Sequence, residues 1–139
     1  MIDFHFETDF KIGSESVYSD WVTQVITSEG FVLRQVDYIF CDDAYLLNIN
    51  QKHLRHDTYT DIITFDYSEG KSIAGDVFIS IERIEENAKK FKEEFQNELL
   101  RVMAHGVLHL MGYSDKSKRE IAVMRQKEEE KIKLFHVEQ

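Results

Sequence analysis

Residues 2 to 7 alternate, with Ile2, Phe4 and Phe6 on one side and Asp3, His5 and Glu7 on the other. That period of two predicts a strand with one buried face and puts His5 towards solvent. Gly13 and Ser14 mark a turn, after which Val17, Tyr18, Trp21, Val22, Val25 and Ile26 recur at helical spacing up to Ser28. Such a stripe belongs to a helix laid over a sheet and ended by Gly30. Gln35 to Cys41 reads as a second strand with Val36, Tyr38 and Phe40 on one face. Asp42 or Asp43 can cap a helix from Ala44 to about Lys52, with Leu46, Leu47 and Asn50 inward or lining a cleft. The polar, aperiodic segment from His53 to Asp61 is expected to be a loop, and one this rich in His, Arg and Asp is a place to look for function.

Ile62 to Phe65 then reads as a buried strand, and a turn containing Gly70 leads into another from Ile73 to Ile79. Ser80 opens a helix with Ile81, Ile84, Ala88 and Phe91 inward and a solvated face of Glu82, Glu85, Glu86, Lys89 and Lys90. The next helix, about Phe95 to Met111, carries few charges after Arg101 and should be the most buried. Ser117 followed by Glu120 is a capping-box pattern, so a last helix starts just past Asp115, with Ile121, Met124, Ile132 and Phe135 inward, and frays towards Gln139. This order of elements predicts an α/β (α+β) fold: one domain over residues 1–139, with a mixed sheet of roughly four strands packed by about five helices. A helical crossover between the first two strands makes them parallel.

Composition adds limits. The chain has 139 residues, 42% hydrophobic and 31% charged, enough for one real core and too apolar for disorder. Its formal net charge of −9 removes the broad positive field that drives non-specific nucleic-acid binding, so contact with RNA must be local or use a metal. Lone Cys41 cannot form an internal disulfide and is expected as a buried thiol at a strand end. No leader pattern and no membrane-length apolar run are present, which points to a cytoplasmic protein with no membrane partner.

The candidate chemistry lies in Ala104-His105-Gly106-Val107-Leu108-His109-Leu110-Met111-Gly112-Tyr113-Ser114-Asp115. On a helix, residues four apart lie about 40° apart on one face, so His105 and His109 can share one ion. Gly112 suits a helix end, after which Asp115 could swing back to the same ion. Three protein ligands with a fourth position left open is the usual catalytic zinc arrangement. Spacing of this kind is zincin-like, matching the metzincin protease helix H-E-x-x-H-x-x-G-x-x-H. Those proteases need a glutamate after the first histidine as general base; this chain has Gly106, which disfavours peptide hydrolysis by that route.

His105-Gly106-Val107-Leu108-His109-Leu110-Met111-Gly112-Tyr113 resembles the signature of the YbeY family, H-G-x-L-H-L-x-G-Y-D-H. Upstream, Leu54-Arg55-His56-Asp57 with Thr60-Asp61-Ile62-Ile63-Thr64-Phe65 resembles that family's arginine loop and T-D-V-L-S-F strand, and Gly75-Asp76-Val77-Phe78-Ile79-Ser80 its G-D-I strand. The resemblance implies a metal-dependent, single-strand-specific endoribonuclease that acts in ribosomal RNA processing (16S rRNA 3′-end maturation) and in ribosome quality control. It implies a metal site of His105, His109 and Asp115, with catalysis shared by Arg55, His105 and His109. The implied cofactor is one divalent metal ion, zinc foremost. Implied partners are single-stranded RNA, rRNA above all, and the ribosomal small subunit or a protein associated with it; DNA is not among them. Here the family's third histidine is replaced by Asp115, a harder ligand that weakens zinc relative to manganese or magnesium. Arg55 is the residue implied to meet the RNA phosphate, since its planar fork of donors matches phosphate oxygens. Thr60, Asp61, Asn48 and Asp76 are expected to be structural. Two other readings are a peptidase-like metal hydrolase and a non-catalytic ribosome-assembly factor with a structural metal.

Overall fold

The computed structural model describes residues 1–54 and 61–138. Its spine is a four-stranded sheet in the order β1-β2-β4-β3. Strand β1 (Ile2–Phe6) pairs in parallel with β2 (Val32–Cys41), Phe4 lying beside Tyr38. The helical crossover between them, α1 (Glu15–Ser28), buries the Trp21, Val22, Val25 and Ile26 stripe. Gly30, at φ +83°, turns the chain out of that helix, as a residue without Cβ can at little cost. β2 begins at Val32 rather than Gln35. Its first residues pair at an open end of the sheet where Val32 is 62% exposed, so no apolar alternation marks them.

Asp42 caps α2 (Asp43–Ile49) by accepting from the Tyr45 N–H at 2.8 Å, and Leu46 is buried beneath it. The helix runs on through a wider π-type turn, Asn50–Leu54, so helical structure reaches past the expected loop start at His53. β3 (Ile62–Asp66) is an edge strand, antiparallel to β4 (Ser72–Ser80), which also pairs in parallel with β2. The expected buried strand at Ile62–Phe65 is corrected by that edge position: only Ile63 is buried, its neighbours half-exposed.

Ser80 accepts from Arg83 N–H and caps α3 (Ile81–Lys90), whose Ile81, Ile84 and Ala88 are buried. Phe91, expected inward, is 58% exposed because α3 stops at Lys90 and the chain turns through Lys92 at φ 57°. α4 (Phe95–Leu110) crosses the sheet with Leu99, Leu100, Met103, Ala104, Val107 and Leu108 all at 2% exposure or less. Burying each of its large apolar side chains is worth about 1.5–3 kcal/mol. α4 approaches so closely that a Cβ built on Gly106 would lie 2.7 Å from Val77 Cγ1, and one on Gly75 2.8 Å from Leu110 Cδ2. α5 (Lys118–Glu138) begins with the reciprocal capping box: Glu120 N–H donates to Ser117 Oγ at 3.1 Å and Ser117 N–H to Glu120 Oε1 at 2.9 Å. Met124, Ile132 and Phe135 are buried, but Ile121 is 50% exposed, since it lines an open cleft instead of the core.

The apolar positions of β1, β2 and β4 therefore share one core with α1, α4 and α5, and a small cluster of Cys41, Leu46 and Ile63 sits on the other face under α2. Cys41 is buried at the end of β2 as expected, its thiol pushed up to about 12 by burial and by the nearby Asp42, Asp43 and Glu7. Among the described residues no helix is long and apolar enough to cross a membrane.

Candidate metal centre

His105 and His109 come from one face of the last two turns of α4. Just beyond, Gly112 at φ +100° reverses the chain, and the short segment leading to the α5 cap carries Asp115 back over the helix end. The Asp115 Oδ2 atom lies 3.3 Å from His105 Nε2 and 3.4 Å from His109 Nε2, and the two ring nitrogens are 2.8 Å apart. Three residues expected from the sequence to meet are thus brought together. Arg55, the fourth candidate, and with it His56 and Thr60, lies outside the described residues.

The hydrogen bonds behind the histidines decide which atoms face the centre. His105 Nδ1 is 2.6 Å from a Glu128 carboxylate oxygen and His109 Nδ1 is 2.9 Å from the Tyr113 carbonyl. Both partners only accept, so each ring carries its hydrogen at Nδ1 and turns the Nε2 lone pair inward. With Asp115, three lone-pair donors then point at one place, an arrangement that a cation satisfies. Ligands about 2.0–2.1 Å from a tetrahedral ion would stand roughly 3.3 Å from one another, close to both histidine-to-aspartate separations. Within the described residues, His105, His109 and Asp115 are the group able to hold a metal ion.

Electrostatics reinforce the grip on His105. Burial pulls its pKa down, but the Glu128 hydrogen bond and charge, with Asp115 and Asp61, outweigh that and leave it above the ordinary histidine value. Glu128 is itself held: Arg101, 8% exposed, reaches Glu128 at 3.7 Å, Glu98 at 3.5 Å and also Glu129. The Tyr113 hydroxyl donates to Glu29 at 2.6 Å, fixing the residue whose carbonyl orients His109.

Glu128, Glu98 and Arg101 were missed by sequence reasoning. Their one signal was position: Glu128 falls in the four-residue series Met124, Glu128, Ile132 of inward α5 positions, and Glu98 and Arg101 sit within the most buried helix. Asp61, expected to be structural, does accept from Ser80 N–H through its carbonyl at 3.0 Å, yet its residue also lines the cleft beside the histidines, and burial raises its carboxyl pKa. The cleft, about 520 Å³, runs from the histidines between β3, α3, α4 and α5 to Asn87, Phe91, Ile121 and Arg125.

Gly106 takes on a second meaning here. It faces the sheet, where Val77 and Ile62 leave no room for a Cβ, so the general base of the proteases has neither the side chain nor the space at this position. The arrangement left is two imidazoles and a carboxylate able to hold a metal ion, beside a polar cleft.

Known proteins resemble this chain over nearly all of its length. The family model described as Endoribonuclease YbeY matches residues 3–136. A protein named Endoribonuclease YbeY from Flavobacterium psychrophilum is 58% identical over 139 residues, covering 100% of this chain and 99% of that one. One of the same name from Flavobacterium johnsoniae is 53% identical, covering 100% of both chains. The solution structure of TM1509 from Thermotoga maritima superposes with a TM-score of 0.71 at 26% identity, covering 99% of this chain and 91% of that one. With a family model spanning nearly every residue and relatives this similar end to end, the chain belongs to the endoribonuclease YbeY family.

Proposed function

We propose that the protein is a metal-dependent endoribonuclease that cuts single-stranded RNA during ribosomal RNA processing. The observation that carries this reading is the convergence of His105 Nε2, His109 Nε2 and Asp115 Oδ2 within 3.4 Å of one another at the end of an open cleft, in a chain whose relatives are named endoribonucleases. In this reading the three side chains hold one divalent ion, zinc foremost, with the carboxylate making the site more tolerant of manganese than a third histidine would. Such an ion supplies Lewis acidity towards a phosphodiester oxygen and acidifies a bound water. The protein's own part is orientation. Glu128 and the Tyr113 carbonyl hold the imidazoles in one tautomer, and Arg55 binds the phosphodiester and steadies charge that develops on its oxygens. With a net charge of −9, the chain has little general affinity for naked RNA, which supports docking on the ribosomal small subunit or a protein bound to it.

The test is cleavage of a defined single-stranded RNA by protein stripped of metal and then reloaded, with elemental analysis of untagged protein alongside. Activity should vanish on stripping, return on reloading and be absent from His109→Ala, while Arg55→Ala should lose about a hundredfold in kcat. Equal cleavage by His109→Ala and wild type would refute the reading.

A further inference from the structure

The cleft does not end at the histidines, and its far end is chemically unlike its near end. The wall beside the histidines carries Asp61, Glu98, Asp115 and Glu128 against Arg101, which Glu93, Glu98, Glu128 and Glu129 already engage. Arg125 also lines the cleft, close enough to Glu98 to act on its charge. A wall with that excess of carboxylates repels a phosphate everywhere except at a bound cation or a separate arginine. Whatever part of a nucleotide fills the rest of the cleft is therefore its uncharged part.

The mouth is built for such a group. Phe91, at the C-terminus of α3, leaves 58% of its surface in solvent, and Ile121, in the first turn of α5, leaves 50%. Both line the cleft from opposite helices, with Asn87 one helical turn before Phe91 and Arg125 one turn after Ile121. Lys90 Nζ stands over the Phe91 ring at 5.5 Å from its centroid, so a base would stack on the part of the ring that cation leaves open, beside Ile121, an amide and a guanidinium. A volume of about 520 Å³ lies within the usual range for a small-molecule site.

We infer that this outer end of the cleft is a nucleobase subsite: a base of the RNA strand, next to the phosphodiester held at the metal centre, unstacks and lies against Phe91, flanked by Ile121, Asn87 and Arg125. This rests on the endoribonuclease reading and deepens it. It also gives that reading a physical basis for single-strand selectivity, because only an unpaired base can leave its stack and enter. Affinity here comes from stacking, which tolerates any base, rather than from a positive groove along the backbone.

The test measures binding and cleavage separately. The metal-loaded protein is titrated against a short 2′-O-methyl single-stranded RNA, which cannot react through its 2′-hydroxyls, and against the same strand with single abasic positions in turn. The corresponding unmodified RNA is used for kcat and KM. Removing one stacked base or its aromatic partner should weaken binding roughly tenfold. Phe91→Ala should show that loss with an unchanged melting temperature, since the side chain is exposed, and Phe91→Trp should restore binding. One abasic position should weaken wild type but have no further effect on Phe91→Ala. In cleavage the Phe91→Ala loss should fall on KM. Equal binding by wild type and Phe91→Ala, or abasic penalties of the same size in both proteins, overturns the subsite. Should wild type fail to cleave while the binding differences persist, the endoribonuclease reading falls and the base subsite stands.

Discussion

Glu128 carries more of the centre than its place outside the ligand set suggests. Its carboxylate accepts from His105 Nδ1, and taking it away frees the ring to turn and lowers the basicity of the ligating nitrogen. Glu128→Ala is therefore expected to weaken metal affinity about 10–100-fold, read by competition with a chromogenic chelator, while Glu129→Ala, its half-exposed neighbour, should leave it within about twofold. What the sequence revealed at this scale was uneven. His105, His109 and Asp115 were legible because one helix turn and a glycine stop place them by local geometry alone. Glu128 is twenty-three residues away, and its meeting with His105 depends on how α5 lies across α4, which no spacing encodes. Gly106 was read as a missing base. That it is also the point where helix and sheet touch follows only from Val77 and Ile62 lying opposite.

Among the elements, boundaries with a chemical marker were the readable ones. The Asp42 cap, the Ser80 cap and the Ser117–Glu120 box are side chains that satisfy otherwise unpaired N–H groups, so they announce helix starts in the sequence. Ser117→Ala should cost about 1 kcal/mol of stability by urea unfolding, and it should lower metal affinity as well, since the same turn delivers Asp115. Elements without such markers were read less well. Helical spacing predicts Phe91 and Ile121 inward because periodicity cannot tell where a helix stops or where a cleft leaves its apolar face open, and both line the cleft half-exposed. The edge position of β3 was likewise invisible, for strand order is set by which surfaces remain to be covered, not by the strand's own residues.

Across the whole molecule, the C-terminus of α1, the turn after α4 and the middle of α5 meet at a single carboxylate. Glu29 accepts from the Tyr113 hydroxyl at 2.6 Å, from Lys127 at 3.0 Å and from Lys131 at 2.7 Å; Lys131 is 1% exposed and also donates to Ser28. Burial works against the charged carboxylate, but the three donors and the Lys131 charge prevail and lower its pKa from 4.5 to about 2. A depressed carboxylate adds stability that is complete above its unfolded pKa and is lost as pH falls through the folded one. The urea midpoint of the wild type should therefore drop between about pH 4.5 and 2, and Glu29→Gln should be less stable at pH 7 with a shallower fall over that window. Because Tyr113 joins this carboxylate by its hydroxyl and His109 by its carbonyl, an ion bound at the proposed site is expected to steady the anchorage of the last helix, and the anchorage to steady the ion. Amide hydrogen exchange along α5 around Lys127 and Lys131 should slow when zinc is added, and Tyr113→Phe should reduce that slowing without abolishing it, since Glu128 also joins α5 to His105. The C-terminal helix would then report, through its own packing, whether the centre is charged with metal.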